Sequence, residues 1–154
     1  MKATTLDENP DTYEEAKRLY WEALTLDPSL TAKAYINLGN ICYQQSNRQG
    51  ARDLYTLAMG LDPKEEDAYY NLGILDFEEG NYKAAKKRFL QALNLQPDYL
   101  HPRYHLAIVL EELGEKARAR AHWKMILKID PDYKWAGVVK QRLEDLTSHL
   151  SVVR

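Results

Sequence analysis

Four prolines recur at nearly constant spacing along this chain, namely Pro28, Pro63, Pro97 and Pro131. The intervals between them are 35, 34 and 34 residues, and each proline follows an acid or an amide that closes an apolar run. A period near 34 is typical of an array in which small helical units stack on their neighbours. Such an array offers extended surfaces to other molecules and seldom encloses a deep pocket.

Each unit between the prolines repeats the pattern of two amphipathic helices. In the middle unit Tyr69, Leu72 and Gly73 fall at helical spacing, Gly80 interrupts the pattern, and Ala85, Phe89 and Ala92 resume it. Apolar residues at every third or fourth place predict helices, and Gly80 suits the left-handed residue that ends the first of them. The flanking units fill the same places with Tyr35, Leu38, Gly39, Ala51, Tyr55 and Ala58, and with Leu106, Ala107, Gly114, Ala119 and Trp123.

The units resemble tetratricopeptide (TPR) repeats over roughly residues 11–133. The resemblance implies an all-α fold, a right-handed TPR superhelix (an α–α solenoid) of about eight helices. We predict these helices at 10–26, 32–45, 48–61, 66–79, 82–95, 100–113, 116–129 and 134–147. The predicted organisation is a tail or disordered segment 1–9, a half repeat with only its second helix 10–31, full repeats 32–65, 66–99 and 100–133, a capping helix 134–149 and a frayed tail 150–154.

Charge is distributed unevenly along the chain. The net charge is −2, but residues 1–79 carry 7 Lys/Arg against 15 Asp/Glu, whereas residues 80–154 carry 14 against 8. The total gives no general attraction to nucleic acid or to an anionic membrane, and no apolar run has the length of a membrane span. Cys42 is the only cysteine, so no internal disulfide can form, and a reducing, cytoplasmic location is expected.

In the family that these units resemble, the first helices line a concave groove that binds a segment of another protein. Carried over to this chain, that surface contains Asn37, Asn40, Tyr43, Tyr70, Asn71, Ile74, Phe77, His101, Tyr104 and His105, with Ile36 beside them. Asparagine can donate to and accept from a peptide backbone, and aromatic rings supply apolar area at low entropic cost. The alternative is that Asn37 and Asn71 are merely polar residues of a solvated face.

One version of this groove in the family is a carboxylate clamp, in which two asparagines and three basic side chains hold the end of a chaperone tail. Asn40 and Asn71 match the amides, but Ile36, His101 and His105 occupy the basic places. Imidazoles are mostly neutral at pH 7, so the fixed positive charge is missing. The sequence therefore disfavours a chaperone-tail clamp and leaves a weaker carboxylate site, strengthened by acid, as a hypothesis.

The sequence contains no complete catalytic or metal-binding pattern. His101 and His105 lie four residues apart with Glu112 two turns further on, which is an incomplete ligand set on an open surface. There is no Gly-rich phosphate loop and no Ser or Cys with a base at a recognisable spacing. We therefore predict a protein that is not an enzyme, with no metal and no cofactor.

Two functional hypotheses remain. The first is a non-catalytic protein–protein interaction scaffold that binds a peptide or helical segment in the concave groove. The alternative is a structural module that self-associates through the solenoid ends, either head to tail or as a homo-dimer in which two N-terminal half repeats cover each other. The half repeat is expected to leave Trp21 on an uncovered face, and the acidic start complements the basic end. The lysines and arginines of the second helices are expected to form a solvated back and no nucleic-acid surface, because stacking aromatics are not interleaved with them.

Overall fold

A computed structural model describes Arg18 and residues 28–151, which form seven α-helices and no β-strand. The helices are α1 (Pro28–Gln44), α2 (Arg48–Leu61), α3 (Glu66–Glu78), α4 (Tyr82–Leu95), α5 (Leu100–Glu112), α6 (Lys116–Ile129) and α7 (Ala136–Ser151). The predicted all-α fold is confirmed. The tail 1–9 and the predicted helix 10–26, including Trp21, lie outside the described residues apart from Arg18.

The predicted helix bounds agree closely with the structure for the middle of the chain. Helices α2, α4 and α6 have the predicted bounds, and α3 and α5 end one residue early. Two predictions were wrong. The first helix of the first full repeat was predicted to begin at residue 32, but α1 begins at Pro28, which suits the first helical position because that position has no need of an N–H. The last helix begins at Ala136, so Trp135 precedes it, and it continues to Ser151.

The chain divides into two compact units, residues 1–72 and 73–154. In the first unit α1 packs against α2 where Gly39 meets the ring of Tyr55. A Cβ added at Gly39 would lie 2.5 Å from Tyr55 Cε1, so only glycine allows the two helices to come this close. Small and apolar residues complete the buried interior of this unit, including Ala32, Leu38, Cys42, Ala51 and Ala58.

The second unit repeats the same contact. A Cβ at Gly73 would lie 2.6 Å from Phe89 Cε1, and consecutive helices from α4 to α7 pack on one another. Its interior contains the largest fully buried side chains of the described part, among them Phe89, Leu106, Leu110, Trp123, Ile126 and Val139. Burial of a large apolar side chain contributes about 1.5–3 kcal/mol to the free energy of unfolding, so these residues dominate the stability of the unit.

The first helix of each pair ends in the same way. The left-handed residues are Ser46, Gly80 and Gly114, with φ of 61°, 76° and 76°, and they lie 34 residues apart. The N–H three residues past each helix bonds back to the last turn, at 2.8 Å for Asn47 to the Cys42 carbonyl, which is a Schellman motif. The prediction for Gly80 is confirmed, whereas Ser46 could not be identified as a left-handed residue from its type.

The turns that follow the second helices explain an apparent departure from the repeat pattern. Tyr69 donates its hydroxyl to the carbonyl oxygen of Pro63 at 3.0 Å. Thirty-four residues later Arg103 stands where an aromatic residue is expected, and its Nη2 donates to the carbonyl oxygen of Pro97. The two side chains differ in chemistry, but both bond to the proline of the preceding turn.

One carboxylate joins three helices of the second unit. Glu111 of α5 accepts a hydrogen bond from the indole of Trp123 on α6 at 2.7 Å, and Arg142 of α7 lies 3.3 Å from its other oxygen. The indole N–H of a buried tryptophan needs an acceptor, and Glu111 supplies it directly. None of the helices in the described part has both the length and the apolarity needed to cross a bilayer.

We expect Ser46→Gly to raise the free energy of unfolding. A non-glycine residue in the left-handed region costs about 1–2 kcal/mol, which glycine avoids. Glycine also has a larger conformational entropy in the unfolded state, which offsets part of this gain, so the net increase in the free energy of unfolding is about 0.5–1 kcal/mol. Urea unfolding measures it. The matched control is Gly80→Ala, whose added Cβ meets nothing within 4 Å and should lower stability by about 1 kcal/mol for conformational reasons alone. An unchanged or lower stability of Ser46→Gly would contradict this explanation.

Candidate functional site

The first-helix residues singled out by sequence are all accessible to solvent. Asn37 is exposed, and the other nine residues of the predicted surface are half-buried. Ile36, in contrast, is only 5% exposed, so it cannot contribute to the surface as the sequence suggested. Its place at helical spacing from Ala32 turns it toward the interior.

In the first unit the two asparagines lie side by side. Asn71 Nδ2 donates to Asn40 Oδ1 at 3.3 Å, and the hydroxyl of Tyr55 donates to the same oxygen at 2.7 Å. Tyr55 is 2% exposed, and burial raises the pKa of its hydroxyl far above the usual range. Asn40 is therefore the acceptor for a buried hydroxyl as well as a residue of the accessible surface.

Tyr70 is partly withdrawn from water in the same unit. Burial raises the pKa of Tyr70 to about 12, and the carboxylate of Asp67 and the phenol of Tyr43 act in the same direction. The phenol is thus neutral across the physiological range. It can offer a hydroxyl and an apolar ring to a ligand, but no charge.

The second unit gathers rings from α5 and from the turn before α7. We call this the aromatic patch, and define it as His101, Tyr104, His105, Tyr133 and Trp135. Tyr104 is its centre, because its ring lies 4.5 Å from that of Trp135 and meets the buried ring of Trp123 edge-on at 5.1 Å. His105 joins the patch to Phe77, with ring centroids 6.0 Å apart. The structure thus brings together four of the predicted site residues of this unit.

Sequence reasoning missed the contribution of the turn at 133–135. Tyr133 and Trp135 are contributed by the chain just after α6, and Lys134 Nζ lies 4.1 Å from the Trp135 ring centroid in a cation–π contact. The predicted capping helix 134–149 includes Trp135, whereas the structure places this residue before the helix. The available signal was Pro131, since a residue so soon after a helix-ending proline is often still in the turn.

The histidines of the second unit are held by specific bonds. His105 Nδ1 donates to the carbonyl oxygen of His101 at 2.9 Å, and His101 Nδ1 lies 3.0 Å from the Tyr133 hydroxyl. Burial lowers the pKa of His105 below the usual range. His122 Nδ1 accepts from Arg103 at 3.2 Å, and burial, aided by the positive charge of Arg103, also lowers the pKa of His122.

Within the described residues no group of three or more metal-ligating side chains comes together. The imidazoles of the aromatic patch are instead bonded to a hydroxyl and a backbone carbonyl. Cys42 is buried with no exposed surface, which is typical of a packing residue. The arrangement can bind apolar and hydrogen-bonding groups, and it assembles no acid–base pair around a reacting atom.

Two family models match the chain. Both are described as tetratricopeptide repeat; one matches residues 1–66 and the other residues 76–141, and together they cover most of the sequence. The chain belongs to the tetratricopeptide repeat family. Comparison with curated protein sequences finds no significant match.

Solved structures with the same fold are numerous. The Yersinia enterocolitica type III secretion translocator chaperone SycD is 18% identical with a TM-score of 0.75, over 95% of this chain and 98% of that one. MamA is 22% identical with a TM-score of 0.69, over 92% of this chain and 86% of the MamA chain. The first TPR domain of Spaghetti (RPAP3), bound to the HSP90 peptide SRMEEVD, is 19% identical with a TM-score of 0.69, over 78% and 95%. These similarities show that this chain has the TPR solenoid fold.

We expect Asn40→Ala to destabilise the protein through Tyr55. The substitution leaves a buried hydroxyl without its acceptor, which costs about 1–3 kcal/mol in the free energy of unfolding. Tyr55→Phe removes the donor as well, so the double variant Asn40→Ala/Tyr55→Phe should lose less than the sum of the two single losses. Urea unfolding of the four proteins measures this coupling. Strictly additive losses would show that the 2.7 Å contact contributes nothing.

Stability should fall as the pH is lowered from 7.5 to 5.5. The folded pKa values of His105 and His122 lie below the unfolded value near 6.5, so in this range the unfolded chain binds protons that the folded chain does not. His105→Asn/His122→Asn keeps a polar atom at the Nδ1 position and removes the titration. Its free energy of unfolding should therefore depend less on pH than that of the wild type. An equal loss in both proteins would mean that other groups cause the acid sensitivity.

Proposed function

We propose that this TPR protein is a non-catalytic scaffold that binds a peptide or helical segment of a partner protein on its first-helix surface. The observation that carries the proposal is the aromatic patch, in which the rings of Tyr104 and Trp135 meet at a tilt of 45° with centroids 4.5 Å apart while both keep solvent-accessible area. Rigid aromatic rings with a polar edge are enriched at the energetic centres of protein interfaces. TPR repeats are in general protein–protein interaction scaffolds, and the RPAP3 domain was solved with a peptide.

The ligand we propose is not the carboxylate end of a chaperone tail. Ile36 is buried where a clamp would need a cation, and the lowered pKa of His105 keeps this imidazole neutral at pH 7. Burial of His105 also weakens the hypothesis of an acid-strengthened carboxylate site, since this side chain takes up a proton only at a lower pH than an exposed histidine does. Segments with apolar side chains and backbone amides fit the accessible asparagines and rings better.

The proposal also includes the location of the protein and the class of its partner. The protein acts in the cytoplasm, because its one cysteine is a free and buried thiol that needs no oxidising compartment. Its partner is a protein and neither nucleic acid nor membrane. Self-association through the ends of the array is the second candidate function, favoured by the contrast between the acidic residues 1–79 and the basic residues 80–154.

The surface is tested with variants that spare the interior. Asn37→Ala/Asn71→Ala removes two accessible amides while Tyr55 still donates to Asn40, so the fold should be retained. We expect a partner protein captured by the wild type from native lysate to be lost with this variant. The affinity of its minimal segment should fall by about tenfold or more from a micromolar dissociation constant.

The matched control is Gln49→Ala/Thr56→Ala, which changes two exposed polar residues of α2 and should retain the partner. Equal capture by all three proteins would exclude the accessible asparagines of the first unit from the binding surface. Light scattering of the same preparations at low and high salt tests the second candidate, because a monomer in both conditions is incompatible with charge-driven self-association.

A further inference from the structure

The outer side of α4 carries an open groove that the first-helix surface does not use. Two cavities of about 620 and 470 Å³ adjoin along this helix and share Lys83 and Leu113 in their walls. They therefore form one continuous depression, which we call the α4 groove. It begins at the turn residues Gly80 and Asn81 and follows α4 from Tyr82 to Asn94, a length of about 18 Å at the rise of an α-helix.

The floor of the α4 groove is apolar. Leu90 is 42% exposed, and Leu113 and Ala84 are the other apolar residues in its lining. The face of α4 toward the interior is a different one, formed by Ala85, Phe89, Ala92 and Leu93. Leu90 is thus an apolar residue of the outer face with no place in the core.

The rim of the α4 groove is positively charged. Lys83 and Lys87 are exposed, and neither makes an ion pair with any of the described residues. Lys86 bonds to Glu115 at 2.6 Å, and Arg118 holds the other oxygen of the same carboxylate at 2.8 Å. The only acid in the lining is therefore neutralised by two cations, so an approaching ligand meets a positive potential above an apolar floor.

We propose that the α4 groove docks an acidic amphipathic helix from a partner protein. Its length along α4 matches about three helical turns, the apolar lining residues match one stripe of a helix, and Lys83 and Lys87 match acidic side chains on the flank of that stripe. Nucleic acid fits less well, because the groove offers only the ring of Tyr82 for stacking and its floor is aliphatic. The groove would be a second docking surface, separate from the aromatic patch.

The probe is a labelled synthetic helix of about 16 residues with leucines along one stripe and glutamates beside them. Fluorescence anisotropy with the full chain should give a dissociation constant in the micromolar range, and a scrambled peptide of equal composition should bind about tenfold more weakly. Lys83→Glu/Lys87→Glu should weaken binding by about tenfold or more, and Leu90→Ser by about fivefold.

The matched control is Lys116→Glu/Lys124→Glu, which makes the same change of charge at exposed sites of α6 outside the groove and should leave binding unchanged. Circular dichroism verifies that all variants fold. Equal binding of the scrambled peptide, or equal weakening by both charge variants, would overturn the proposal. Tighter binding of a single-stranded oligonucleotide or of a phosphatidylserine vesicle than of the peptide would also overturn it. So would a Lys83→Glu/Lys87→Glu variant that no longer self-associates but still binds the peptide as the wild type does.

Discussion

The close approach of the two helices at Gly39 in the first unit and at Gly73 in the second governs the rest of this structure. At Gly39 and Gly73 the first helix lies so near an aromatic ring of the second that a Cβ would be only 2.5–2.6 Å from a ring carbon. This contact determines the spacing of the helices and leaves one face of the first helix and one face of the second for other molecules. Any side chain at these glycines would separate the pair and displace both surfaces, because packed interiors transmit such strain.

Much of the fold could be predicted because its constraints are local and periodic. The conformational freedom of Gly80 predicted the end of a helix, and the apolar spacing predicted the first and last residues of α2, α4 and α6. Ser46 and Arg103 show where this reasoning stops. Both occupy a recurring place with an unexpected residue type, and only coordinates show that Ser46 adopts the left-handed conformation and that Arg103 bonds to a proline carbonyl as Tyr69 does.

The candidate site was less predictable, because it depends on which side chains meet across helices. The exposed face of a helix follows from its pattern, so the accessibility of Asn37 and Tyr104 could be anticipated. The double role of Asn40 could not, since its bond to Tyr55 spans 15 residues and two helices. The α4 groove lay within a group of basic residues interpreted as a solvated back, and its apolar floor appears only when Leu90 and Leu113 are seen to line one cavity.

The two described tryptophans occupy contrasting environments. Trp123 has no exposed area and bonds to Glu111, whereas Trp135 is half-buried in the aromatic patch beneath Lys134. Indole emission shifts to shorter wavelength when water is excluded from the ring, so a ligand that covers the patch would change the light from Trp135 and leave that of Trp123 nearly constant. In a variant with Trp21 replaced by phenylalanine, the chain would therefore contain an intrinsic optical reporter of occupancy, together with an internal reference in its own core.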